Sequence, residues 1–161
     1  MLVEQLDLLK QNSIDDVDVE KRLTDYHNVQ IFTEIFIGED KQPFNMIFDT
    51  GSNWLWVYSR ICLNLMSHID KFDERNSSTF SFYPAMYDLH YGSGDVYGYN
   101  SFDQVCITKE FCAPNFSFLI VNAQKNLYSL ESSGIIGMSP NALEDRGDLF
   151  LLKMKEAGVI D

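Results

Sequence analysis

Between residues 29 and 121 the chain alternates short apolar runs with polar punctuation: "VQIFTEIFIG", "PFNMIFD", "WLWVY", "TFSFYPAMYDLHYG", "DVYGYNSFDQVCI" and "FSFLIV". The runs are rich in aromatic and β-branched residues and broken by Gly, Asn, Ser and Asp, which predicts strands. "YGSGDVYG" carries two glycines in a polar turn between two such runs, the pattern of a projecting hairpin. "SGIIGMSP" is a short apolar piece bounded by glycines. The period changes only near the end. There Leu149, Leu152 and Met154 with Lys155 fit a helix, and Gly158 is its natural terminator. No internal repeat or low-complexity tract interrupts this. The expected fold class is all-β with one short C-terminal helix.

The first 22 residues read differently. Leu2, Val3, Leu6 and Leu9 recur at helical spacing, and acidic Asp15, Asp16, Asp18 and Glu20 follow. A short amphipathic helix and a solvated linker explain this better than a metal loop. The stretch has no basic region leading into an apolar core, so it does not read as a signal peptide. Residues 1–22 are taken as a linker or pro-segment-like stretch and residues 23–161 as one domain.

Composition narrows the function classes. A length of 161 residues suffices for one hydrophobic core, and 45% hydrophobic with 14% aromatic residues indicates a globular chain. Twenty-four acidic against 12 basic residues give a formal charge of −12. That balance argues against nucleic acid or an anionic membrane as partner, since both select basic patches. No apolar run approaches the roughly 18–20 residues of a membrane span. Of three cysteines, Cys106 and Cys112 flank "ITKEF" between two strand-like runs, so a bridge across a hairpin is geometrically allowed. Sequons at Asn76 and Asn115 matter only in a secreted chain.

One carboxylate stands out. Asp49 falls inside "IFDTGSNWLWV", an otherwise apolar, strand-like run that penalises an ionised group. Asp-Thr-Gly is ordinary turn chemistry by itself. Its flanks read strand, turn, strand, and here the sequence resembles the pepsin-like aspartic proteases. The resemblance extends to "LTDYHNVQIFTEIFIG", the family's mature start, and to "FDERNSSTF". It continues with "LHYGSGDVYG", similar to the family's flap, and "SGIIGM", similar to its ψ-loop. The five stretches follow family order at family-like spacing.

The resemblance implies a β-barrel lobe, half of a bilobal architecture, and an aspartic endopeptidase. Asp49 would be one of two close carboxyls that cannot both ionise, so that one acts as acid while the other acts as base on a water. That shared proton is a property the family brings. Thr50 would tie the turn to the facing lobe, Gly51 would allow close backbone approach, and Ser52 would hydrogen-bond the outer carboxylate oxygen. Tyr91 would close over a peptide or protein substrate, with Trp56 donating to its hydroxyl. Gly92, Ser93 and Gly94 would form the mobile flap tip, and Gly137 would pack against the Asp49 loop. No cofactor or metal is implied, and His27, His68 and His90 share no ligand spacing. Phe111, Phe116, Phe118 and Ile120 read as core.

Departures matter as much. Cys62 stands where the family begins a small disulfide loop, but five residues on is Ser67. No second Asp-Thr-Gly or Asp-Ser-Gly occurs in the chain. The expectation is therefore an N-terminal lobe whose partner is a missing C-terminal lobe bearing the second Asp, the 161 residues being inactive alone. The alternative is a catalytically inactive single-lobe relative or truncated product that binds peptides at most. A retrovirus-like homodimer is disfavoured, because the lobe stops short of the strand that would build its interface. The family implies a secretory, lysosomal, vacuolar or extracellular site if a signal peptide lies upstream.

Overall fold

The computed structural model describes residues 23–26, 30–63, 65–140 and 147–161. The helix and linker expected over residues 1–22, and His27, lie outside the described residues. Among the described residues eight strands run in chain order as β1 Thr24–Tyr26, β2 Gln30–Ile37, β3 Gln42–Asp49, β4 Leu55–Tyr58, β5 Ser81–Tyr91, β6 Gly94–Cys106, β7 Cys112–Lys125 and β8 Gly134–Gly137. One α-helix follows among these residues, α1 Phe150–Glu156. The all-β expectation with a single late helix matches this architecture. The short polar β1 carries no periodic signal and escaped the sequence reading. β7 is longer than its apolar heart "FSFLIV" because its ends pair through polar residues along β6.

The strands form one sheet in the order β1-β2-β3-β8-β4-β7-β6-β5. Additional pairing of β2 with β6, at Phe36–Cys106 and Ile37–Val105, curls the sheet into a barrel. Most neighbours are antiparallel, but β3–β8 and β4–β7 are parallel. β8 thus lies between β3 and β4, two strands joined by the Asp49 loop. That loop has to cross the end of β8, which is what fixes it in space.

The barrel encloses two apolar clusters. One holds Phe44, Phe72, Phe116 and Phe118 with Met154 of the helix. The other, under the β5–β6 hairpin, holds Trp54, Trp56, Tyr58, Leu89 and Val121. Phe116, Phe118 and Ile120 are buried as expected, while Phe111 is only half-buried. The helix ends at Gly158, φ 68°, where Gly158 N–H donates to Lys155 O and Val159 N–H to Met154 O. That pair of bonds caps the last carbonyls around a left-handed glycine. Cys106 and Cys112 are joined in a disulfide across the β6–β7 hairpin. Cys62 is a buried free thiol. The segment after it is closed without a bridge, by Lys71 Nζ donating to Cys62 O at 2.7 Å and by pairing of Ser59 with Phe72.

Candidate active site

Asp49 is the last residue of β3, directly opposite Gly137 of β8. The chain leaves β3, turns through Thr50, Gly51 and Ser52, and crosses to β4. Three backbone bonds pin this crossing: Gly137 N–H to Trp54 O (2.9 Å), Met138 N–H to Asp49 O (2.8 Å) and Ser139 N–H to Ser52 O (2.9 Å). A Cβ on Gly137 would lie 2.6 Å from Asn53 C and from Trp54 N, so the approach requires glycine. The Asp49 carboxylate is half-buried and accepts from Gly51 N–H at 2.9 Å. Thr50 is exposed on the rim.

Above this loop the β5–β6 hairpin turns at Gly92 and Ser93, with Tyr91 paired to Gly94. Trp56, fully buried on β4, donates its indole N–H to Tyr91 Oη at 2.8 Å. Their rings pack at 6.3 Å and 55°. Burial, helped by the nearby Asp49 charge and opposed by hydrogen bonds from Trp56 and Ser52, pushes the Tyr91 phenol up to about 12. Asp49 and Tyr91 therefore share one electrostatic neighbourhood. A Cβ on Gly94 would lie 2.3 Å from Lys125 O, whereas one on Gly92 would meet nothing within 4 Å. Of the two tip glycines, contact with the rest of the protein demands Gly94 alone.

Ser52 departs from its expected role. Its buried hydroxyl bears on the Tyr91 phenol, whose rise it opposes, and makes no hydrogen bond to the carboxylate. The oxygen of Asp49 that does have a partner takes it from backbone. Sequence reading also passed over Gly134, where a Cβ would lie 2.0 Å from Trp56 O. The glycines bounding "GIIG" were the signal: a strand threaded between two others has no room for side chains at its ends.

A family model, eukaryotic aspartyl protease, matches residues 30–161. The chain belongs to the eukaryotic aspartyl proteases. Similar proteins include the vacuolar aspartic protease of Candida albicans, 45% identical over 53% of this chain and 20% of the relative. Chymosin of Camelus dromedarius is 36% identical over 73% of this chain and 31% of its own length. Gastricsin of Callithrix jacchus is 32% identical over 88% of this chain and 37% of its own. The chain thus spans about a third or less of the curated relatives it matches first. No helix among the described residues is long and apolar enough to cross a membrane.

Proposed function

We propose that these residues supply the Asp49 half of an aspartic endopeptidase, with the second carboxylate contributed by polypeptide outside the 161 residues. The observation that carries this reading is a half-buried carboxylate locked at a strand crossing, whose charge is felt by a tyrosine on a facing hairpin. With a second carboxyl alongside, one proton is shared, and the ionised member draws a proton from a water that attacks the scissile carbonyl. The protonated member donates to the oxygen as charge develops there. Gly51 keeps the loop close enough to hold Asp49 through its amide. Tyr91, seated by Trp56, covers the peptide and displaces water, and the exposed Ser93 offers its hydroxyl and backbone to the substrate. Thr50, on the rim, faces the missing partner. The chain alone, with one such carboxylate, cleaves nothing.

The test is cleavage of an unstructured protein substrate between pH 3 and 7 by the gene product that includes the second carboxylate, against its Asp49→Asn variant. A fall in cleavage of about 10²-fold or more with retained folding supports the reading; activity within about tenfold of the wild type removes Asp49 from the chemistry. Binding of a hydroxyl-bearing peptide analogue with no cleavage would favour the non-catalytic peptide binder. The vacuolar relatives and the Cys106–Cys112 disulfide favour a secretory or vacuolar route. On that route the exposed Asn76 and Asn115 carry N-glycans, read as a mobility shift on enzymatic deglycosylation.

A further inference from the structure

Along β5 the residues alternate faces: Tyr87, Leu89 and Tyr91 turn toward the barrel, Asp88 and His90 toward solvent. His90 is paired with Asp95 across the hairpin, one step below the Tyr91–Gly94 pair at the tip. Its two ring nitrogens face two carboxylates, Nδ1 at 2.8 Å from Asp95 Oδ1 and Nε2 at 3.3 Å from Asp88 Oδ2. A neutral imidazole has one N–H and can serve only one of them; both are served only by the imidazolium. Asp95 is in turn opposite Lys125 of β7, whose charge, with a bond from Tyr97, also favours its ionised form.

We propose that His90 and Asp95 are positioning residues for Tyr91: the protonated His90, held between Asp95 and Asp88, clamps the two arms of the hairpin behind the tyrosine and slackens as it loses its proton, when the charge attraction to Asp95 goes and one N–H is left for two carboxylates. This rests on the reading of the hairpin as the substrate cover. The groups that face the clamp are Asp88 on β5, Asp95 and Tyr97 on β6 and Lys125 on β7, with Tyr91 on the opposite face of its strand. The hydrogen bond with Asp95, then the charges of Asp95 and Asp88, raise His90 above its ordinary 6.5. The bond from His90 leads the causes that lower Asp95 below 3.8. A raised basic group contributes fully below 6.5 and is lost as pH climbs through its raised value. A lowered acid contributes fully above 3.8 and is lost as pH drops through its depressed value. The clamp is therefore tight across the acid range and slackens above it. His90 is 67% exposed, so the effect is modest and weakened by salt.

The experiment follows the Trp56 indole N–H by 15N NMR in the 161-residue chain from pH 4 to 8.5, with Trp54→Phe to assign the two indoles. Its solvent exchange, corrected for intrinsic pH dependence, is expected to rise about two- to fivefold through an inflection above 6.5. In His90→Gln and in Asp95→Asn the inflection disappears. In His90→Lys, which keeps the cation, it moves out of the range. An inflection unchanged in His90→Gln, or none in the wild type, overturns the proposal. Should His90→Gln fail to fold by circular dichroism, His90→Lys still decides: an inflection persisting in it between pH 6 and 8 overturns the clamp. Failure of the peptidase reading would appear as absent cleavage and leave this signal in place.

Discussion

The Asp49 loop and the tip of the β5–β6 hairpin face each other, yet they are built on opposite principles. The loop is tied by three backbone bonds to residues 137–139, and its neighbour Gly137 leaves no space for even a methyl group. The tip is exposed at Gly92 and Ser93, and apart from its own strand pairing it is steadied by side chains, the Trp56–Tyr91 bond on one face and the His90–Asp95 pair on the other. Backbone bonds between strands do not break without local unfolding, whereas a single side-chain bond can open alone. A reacting carboxylate benefits from the first kind of support and a substrate cover from the second.

The largest expected effect breaks the chemistry and spares the frame. Asp49→Asn can still accept from Gly51 N–H, so the chain should fold with an unchanged urea midpoint. Cleavage by the complete enzyme should fall by about 10²–10⁴-fold, the usual share of a general acid or base. A variant that lost stability as well would show that the carboxylate charge itself holds the loop, and the division of labour would fail.

Gly137→Ala strikes the frame directly. A methyl 2.6 Å from two backbone atoms has nowhere to go, and about 1–3 kcal/mol of stability should be lost in urea denaturation. Tyr91→Phe leaves the buried Trp56 N–H without its partner, for about 1–3 kcal/mol. Gly92→Ala should stay within about 0.5 kcal/mol, because nothing surrounds the position. Equal costs at Gly137 and Gly92 would erase the contrast between loop and tip.

How much of this was legible beforehand follows the same line. The strands announced themselves by local composition, and the Asp49 turn by its apolar flanks. Pairings distant in sequence did not. That β8 threads between β3 and β4 rests on contacts such as Phe48 with Ile136, and periodicity carries no information about partners. Ser52 meets a related limit: a hydroxyl next to a carboxylate in sequence need not bond it in space, and here the two make no hydrogen bond. His90 was weighed only as a metal ligand, since its partner Asp95 becomes a neighbour only once the hairpin closes.

The smallest effect concerns the root of the hairpin, in the segment that joins β4 to β5. Asp73 accepts from Arg75 Nε at 2.8 Å, and Arg60 lies 3.4 Å away. The Arg75 bond leads the causes that draw the Asp73 carboxyl down to about 2. For a lowered acid the contribution is complete above 3.8 and vanishes as pH falls through about 2. The stability gap between wild type and Asp73→Asn should thus be constant at pH 5, narrow by pH 3 and close near pH 2 in urea titrations, and shrink with added salt. A gap independent of pH would show that packing, not charge, anchors the root. The Asp49 crossing offers no such lever, since the backbone bonds that pin it do not titrate; acid should therefore loosen the hairpin's root before it disturbs the loop below.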